Sequence, residues 1–138
     1  MAGRAFLIVE PEATGAAKAG QHGGAGEYVF DTWLLDEIIR PHPAVLVTSQ
    51  VRDALQKLPN PTGFRFSRAR VRRSHFFRAH SRGKRLPVFW SVEVDGEAGR
   101  SDMGLTAEGA LVVSERVASI LFEFRLKQAT FRQYVKRT

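Results

Sequence analysis

The chain has 138 residues, of which 43% are hydrophobic and 25% are charged, with a net charge of +7 and no cysteine. That length fits one domain with its own core, and the composition excludes a wholly disordered chain. Without cysteine the chain can hold neither a disulfide nor a thiolate metal site, which favours a reducing compartment, the cytoplasm. We therefore expect a single domain over residues 1–138.

The N-terminal part predicts a strand and then a loop. Phe6–Val9 is an apolar run stopped by Pro11, which is typical of a strand. Residues 13–26 are mostly alanine and glycine, so we expect a flexible surface loop there. The Lys-Ser/Thr pair of a phosphate-binding loop is missing. No window reaches the length of a signal-peptide core or the roughly 20 apolar residues of a membrane span, so we expect neither.

Helical spacing predicts a helix over Trp33–Arg40. Its apolar positions are Leu34, Leu35, Ile38 and Ile39. Asp31 or Thr32 can supply the N-cap, and Pro41 prevents the helix from continuing. We interpret this apolar stripe as core.

A second group of elements follows. Ala44–Val47 reads as a strand, and Thr48 or Ser49 then caps an amphipathic helix. The alternating patterns of Phe64–Val71 and Val88–Val94 predict two further strands.

The C-terminal part repeats this order. Leu111–Val113 predicts a strand, Ser114 the N-cap of a helix, and Thr130–Val135 a last strand. Residues 47–55 and 113–121 agree in pattern without a gap, which suggests two strand-helix-strand units, although any small α+β domain produces such pairs. The predicted fold class is α+β, a small mixed or antiparallel sheet packed by two or three helices.

The apolar faces of these elements predict the core. Its expected members are Leu7, Val9, Leu35, Ile38, Val45, Val47, Val51, Leu55, Phe64, Val92, Val112, Val117, Leu121 and Phe131.

No pattern in the sequence points to catalysis. The histidines are His22, His42, His75 and His80. The last two are five residues apart, so neither a helix nor a strand places them on one face for a metal. The chain has no G-x-S-x-G and no H-E-x-x-H, and its acidic turn (Asp95, Glu97 and Asp102) lacks EF-hand spacing. We expect no catalytic residue, no cofactor and no metal, and hence not an enzyme.

Basic residues are concentrated in one segment, residues 61–85. It has nine basic residues and no acidic one, whereas residues 1–60 have five and seven, and residues 86–138 have seven of each. They lie along the predicted Phe64–Val71 strand and the loop that we expect after it: Arg65, Arg68, Arg70, Arg72, Arg73, Arg78, Arg82, Lys84 and Arg85. Because burial of unpaired guanidinium groups is prohibitive, this segment must face solvent or anions.

Three environments satisfy such a segment: an acidic protein surface, nucleic-acid phosphates, or water alone. The arginine fork suits bidentate contact with carboxylates or phosphates. The signatures of an RRM, a KH domain and a helix-turn-helix are missing from the sequence.

Four short stretches carry a family resemblance. They are Pro43–Ser49, Leu86–Val94, Ser101–Leu105 and Leu111–Arg116. Over about residues 28–135 the chain resembles the small bacterial immunity proteins of polymorphic toxin systems, above all the myxobacterial double-CxxCG group. This chain lacks the cysteines of that group, so no zinc-binding element carries over.

The resemblance implies a protein that neutralises a co-encoded toxin by binding it, without catalysis. Such an interface needs aromatic or arginine anchors. The candidate partner-binding residues are Trp33, Arg72, Arg73, Phe76, Phe77 and Arg78. The expected partner is a cognate toxin protein with an acidic surface. The alternative is a small nucleic-acid-binding module that places the same arginines on phosphates.

Overall fold

The computed structural model describes residues 5–11, 17–19, 27–30, 36–41, 44–80, 83, 87–124, 126 and 129–135. The strands are β1 (Phe6–Glu10), β2 (Ala17–Ala19), β3 (Glu27–Phe30), β4 (Ile38–Ile39), β5 (Leu46–Thr48), β6 (Phe64–Arg68), β7 (Arg70–Arg73), β8 (Phe89–Val94), β9 (Met103–Leu105), β10 (Leu111–Ser114) and β11 (Thr130–Gln133). The helices are α1 (Ser49–Gln56), α2 (His75–His80) and α3 (Glu115–Leu121). The expected α+β class is confirmed, with strands dominating over helix.

Helices α1 and α3 begin in the same way. The Thr48 hydroxyl accepts the N–H of Val51 at 3.4 Å, and the Ser114 hydroxyl accepts the N–H of Val117 at 3.4 Å. Both caps have extended backbone, with φ of −70°. A hydroxyl in this position satisfies an N–H that the first turn leaves without a partner, as the sequence predicts.

The strands of the described residues form three sheets. Two are antiparallel throughout, with strand orders β11-β1-β10-β9 and β4-β5-β8-β6. The third has the order β2-β3-β7, in which β3 and β7 are parallel. We call the two antiparallel sheets sheet A (with β1) and sheet B (with β8), and the third sheet C.

Sheets A and B are built alike, position by position. In each, the strand before a helix (β10 or β5) lies between a preceding edge strand (β9 or β4) and an inner strand (β1 or β8), while the strand after the helix (β11 or β6) forms the other edge. The registers agree, since Phe66 lies opposite Val92 in sheet B. Its counterpart Phe131 lies opposite Val9 in sheet A. The two strand-helix-strand units are therefore present, and each is completed by a strand from elsewhere in the chain.

The two halves also share a polar contact at the start of each helix. In the first half, the Thr48 hydroxyl donates to Glu37 Oε1 at 3.1 Å. In the second, the Ser114 hydroxyl donates to Asp102 Oδ1 at 2.7 Å. The capping oxygen that serves the helix thus also ties it to the preceding edge strand.

The apolar side chains form two cores. The first core joins α1 and α3 to facing sides of sheets A and B, and its buried members include Val9, Val47, Val51, Leu55, Val92, Val113, Val117 and Leu121. The second core covers the other side of sheet B with sheet C and α2, and it contains Tyr28, Phe30, Ile39, Leu46, Phe77 and Phe89. Every predicted core residue within the described part is buried or packs against the first core, and Leu35 lies outside that part.

The prediction of a helix over Trp33–Arg40 is wrong where the structure describes it. Ile38 and Ile39 form β4, which pairs with β5, and both side chains are fully buried. Adjacent strand residues point to opposite faces, so Ile38 enters the first core and Ile39 the second. Tertiary pairing here overrides local helical spacing. Residues 31–35, Trp33 among them, lie outside the described residues.

Three further expectations need correction. The single strand expected at Phe64–Val71 is two strands, β6 and β7, in different sheets. The segment after them, expected as a loop, contains helix α2. Within residues 13–26, Ala17–Ala19 forms β2 and pairs with β3, so this part is not a loop, and the remainder lies outside the described residues.

Two turns of the chain cross at Gly63 and Gly96 with no room for a side chain. A Cβ added at Gly96 would overlap the Met103 carbonyl and the Gly63 Cα. We expect Gly96→Ala to lower the free energy of unfolding by about 1–3 kcal/mol, because backbone must shift to admit the methyl group. Urea unfolding checks this, with the exposed neighbour Glu97→Ala expected within about 0.5 kcal/mol of the parent. Equal stability of Gly96→Ala and the parent would contradict this packing.

Candidate partner-binding surface

The strands β6 and β7 form one run of chain interrupted at Ala69. β6 pairs with β8 in sheet B, and β7 pairs with β3 in sheet C. Phe64, Phe66 and Val71 take inward positions and pack against the two cores. The exposed residues of the run are Arg65, Arg68, Arg70, Arg72 and Arg73. β6 and β7 thus continue one extended run from sheet B into sheet C, and the exposed arginines along it lie on the surface.

Helix α2 is fixed to this run by its first residues. The Ser74 N–H donates to the Phe30 carbonyl at 2.9 Å, and the Ser74 hydroxyl accepts the N–H of Phe77 at 3.0 Å. Phe77 is only 1% exposed and belongs to the second core. The opposite side of the helix carries Phe76, which is 50% exposed and stacks on His80 with centroids 3.9 Å apart. Burial of Phe77 thus orients α2 so that Phe76 faces solvent.

We call the exposed side chains of Arg68, Arg70, Arg72, Arg73, Phe76 and Arg78 the cationic surface. In the described part of the chain, no carboxylate pairs with Arg70, Arg73 or Arg78. Arg65 differs, because it meets Glu93 at 2.5 Å. The hydrogen bond and charge of Glu93 raise the pKa of Arg65. Arg70, Arg73 and Arg78 thus offer positive charge that no carboxylate of the described residues neutralises.

Trp90 lies at one end of the cationic surface and connects it to helix α1. The Arg52 guanidinium lies 3.9 Å from the centroid of the Trp90 ring, and that of Arg68 lies 5.9 Å away. The indole N–H donates to the Ser49 hydroxyl at 2.9 Å. The hydrogen bond of the indole N–H fixes the ring, and the cation–π contacts on that ring hold Arg52 and Arg68 in place. The sequence gives no signal for this contact, since it joins three separate elements.

The structure brings together most of the sequence-predicted residues. Arg72 and Arg73 at the end of β7 are exposed, as are Phe76 and Arg78 on α2. Phe77 points into the second core, so its ring stabilises α2 instead of facing a partner. We therefore leave Phe77 out of the cationic surface. Trp33 lies outside the described residues.

A second polar site, which the sequence does not reveal, centres on Asp102. Its carboxylate is buried and accepts two hydrogen bonds from Arg116, at 2.8 and 2.6 Å. The N–H of Thr62 and the hydroxyl of Ser114 also donate to it. Two further N–H groups of Arg116 donate to the carbonyls of residues 59 and 60.

The Asp102 site is a structural anchor. The hydrogen bonds from Arg116 hold the pKa of Asp102 well below its usual range, with Ser114 and Thr62 acting in the same direction against the effect of burial. Each Asp102 oxygen has partners, so the carboxylate has no free lone pair aimed at the adjacent pocket of about 740 Å³. The site ties the 59–62 turn to α3.

The acidic turn does not assemble a metal site. Asp102 forms an ion pair with Arg116, and Glu97 forms one with Arg100 at 3.4 Å. Within the described ranges, no three His, Asp or Glu side chains come together as metal ligands. In the same ranges no helix is long and apolar enough to cross a membrane.

Comparison of the chain with protein-family models, with curated proteins and with solved structures finds no match. The candidate surface therefore rests on its geometry and charge.

Proposed function

We propose that this chain acts by binding a protein that presents an acidic surface, and that it is an immunity protein that neutralises a co-encoded toxin in this way. The cationic surface carries this proposal. It combines Arg70, Arg73 and Arg78, which pair with no carboxylate of the described residues, with the Phe76 ring, which is held outward on a fixed helix.

The composition of the surface matches what protein interfaces use as anchors. Arginine and aromatic residues are enriched among residues whose loss costs most binding energy. Phe76 is exposed and stands between the exposed Arg73 and Arg78 along the chain, so it can serve as an apolar anchor with charged neighbours. Such positive charge steers an acidic partner toward contact and speeds association.

Nucleic acid is the second candidate, because the same guanidinium groups fit phosphates. The exposed arginines of β6, β7 and α2 favour it. A stacking platform for bases needs open aromatic faces. Here Phe76 is stacked on His80, and Trp90 lies under Arg52, so protein carboxylates suit this surface better.

The test is the double variant Arg73→Glu with Arg78→Glu. We expect it to weaken binding to the product of the adjacent gene by about 100-fold and to abolish protection from it, because two attractive contacts become repulsive. Both side chains are exposed, so the melting temperature should stay close to that of the parent. Titration calorimetry measures the affinity.

A matched control is Lys57→Glu with Arg100→Glu. This pair changes the net charge by the same amount at exposed residues outside the cationic surface, and it should bind like the parent. If both double variants lost the same affinity, the loss would come from net charge and not from the cationic surface. Parental affinity in the Arg73→Glu, Arg78→Glu variant would contradict the proposed surface. Binding to random-sequence DNA or RNA that falls steeply with salt, with no protein partner, would support the second candidate.

A further inference from the structure

The arginines of the β6–β7 run do not all lie on the same side of it. Phe66 packs against the first core, whereas Ala69 and Val71 pack against the second. Successive residues of an extended chain point to opposite faces, so the even-numbered positions are turned away from the second core. Three exposed arginines of the run share that face, and we call them the arginine row: Arg68, Arg70 and Arg72.

Trp90 fixes the direction of the first member of the row. Arg68 lies opposite Trp90 in the register of β6 and β8, and its guanidinium is 5.9 Å from the centroid of the indole ring. Trp90 itself packs against the first core, with Arg52 of α1 over its ring. The arginine row therefore starts beside α1 and continues along β7 onto sheet C.

The face of sheet C that carries the row has little apolar surface in the described part of the chain. Tyr28 and Phe30 of β3 belong to the second core, so Val29 between them turns to the opposite face, where it lies opposite Arg72. Val29 is only partly buried and belongs to neither core. A face that is rich in guanidinium groups and poor in apolar ones suits an anionic surface.

Two members of the row have no anionic partner among the described residues. Arg68 and Arg70 pair with none of their carboxylates. The opposite face of the same run differs, because there Arg65 pairs with Glu93, which lies directly across the strand pair. The positive charge of Arg68 and Arg70 is therefore left for an anion that lies outside the described residues.

The spacing of the row fits an extended segment better than a helix. Alternate residues of a strand are about 6.7 Å apart, so every second side chain of another extended segment repeats at the same interval. Both extended chains also twist with the same hand. Side chains at every fourth position of a helix repeat at about 6 Å but rotate by about 40° at each step, so the third points about 80° away from the first.

Given the proposed function, on which this step rests, we infer that the arginine row receives an extended segment of the acidic partner that carries carboxylates at alternate positions. Each guanidinium fork donates hydrogen bonds to one carboxylate, which fixes both the position and the direction of the segment. Arg73 and helix α2 lie on the second-core side of the run. The two parts of the cationic surface are therefore separable by substitution.

The probes are two end-blocked peptides of the same composition and charge. In Thr-Thr-Glu-Thr-Glu-Thr-Glu-Thr-Thr the glutamates alternate and share one face of the extended chain. In Thr-Glu-Thr-Thr-Glu-Thr-Thr-Glu-Thr neighbouring glutamates lie on opposite faces. At low salt we expect the alternating peptide to bind the full chain at least about fivefold more tightly and to shift the amide NMR signals of residues 68–72.

Arg70→Gln and Arg73→Gln form a matched pair of variants on β7. Both side chains are exposed, both substitutions remove one positive charge, and only Arg70 belongs to the row. We expect Arg70→Gln to abolish the preference for the alternating peptide and Arg73→Gln to keep it. Both variants should melt like the parent, because the substitutions lie at the surface.

Several results would overturn the extended acidic segment as the occupant of the row. They are no binding of either peptide at millimolar concentration, equal affinity for the two, an unchanged preference in Arg70→Gln, and tighter binding of a helical peptide or of single-stranded DNA of the same charge. If the product of the adjacent gene still binds and depends on Arg73 and Arg78, the proposed function stands and only the extended segment is wrong. If that product does not bind the parent, the proposed function fails as well.

Discussion

Replacing Leu121 or Leu55 with alanine is expected to lower the free energy of unfolding by about 2–5 kcal/mol. Both side chains have no exposed surface, and both lie in the first core, on the facing helices α3 and α1. Removal of three methylene-sized groups leaves a cavity in a region that both halves share, where little can move to fill it. Chemical unfolding of each variant measures the loss.

Phe122→Ala provides the control for these two variants. Phe122 follows Leu121 directly but is 59% exposed, and its ring touches Phe131 at the surface. Its loss should cost well under 2 kcal/mol. Leucine variants that melt like the parent would show that the helix faces are misassigned.

Arg116→Ala is expected to lower the free energy of unfolding by about 3 kcal/mol. The substitution leaves the buried Asp102 carboxylate without its two strongest hydrogen bonds, and removal of one partner of a buried pair costs about 3–5 kcal/mol. Because Arg116 is itself 37% exposed, water can enter after truncation, which favours the lower figure. Gln50, the exposed residue at the equivalent position of α1, is the matched control, and Gln50→Ala should change little.

Acid unfolding provides a second check on the Asp102 site. A carboxylate whose pKa is lowered in the folded state stabilises the fold above the pKa of the unfolded group, about 3.9, and this contribution is lost as the pH falls below it. The parent should therefore lose stability between about pH 5 and pH 2, and Arg116→Ala should lose less over that range. Identical pH profiles would contradict a stabilising role for this ion pair.

Local signals in the sequence predicted the elements that local chemistry controls. Thr48 and Ser114 each precede an amphipathic pattern, and both are N-caps in the structure. Capping depends on a few neighbouring residues, so the sequence contains all the information needed.

Elements that depend on distant pairing were missed. β4 has two residues, and its conformation follows from β5 and from cores on both of its sides. Helix α2 has no apolar stripe, although Ser74 three residues before Phe77 was a usable cap signal.

The candidate surface was foreseen only in part. The charge excess of residues 61–85 was visible, because unpaired arginines must lie outside. Which aromatic faces inward was not visible, since Phe76 and Phe77 are adjacent and only packing against Phe30 and Phe89 distinguishes them. The Asp102–Arg116 pair joins residues 14 positions apart, and Arg116 also contacts the turn of residues 59–62. No sequence-spacing rule predicts a contact between these three segments.

The place of β1 in sheet A has a consequence for how the protein folds as it is synthesised. Its neighbours are β10 and β11, about 100 and 120 residues later in the chain. Sheet B and α1 use residues 38–94, so they can assemble while the ribosome is still adding the rest. Sheet A is complete only after residue 133 has emerged, and β1 remains without a partner strand until β10 has emerged. Because such non-local pairing costs loop-closure entropy before it is stabilised, we expect closure of this long loop to limit the rate of folding.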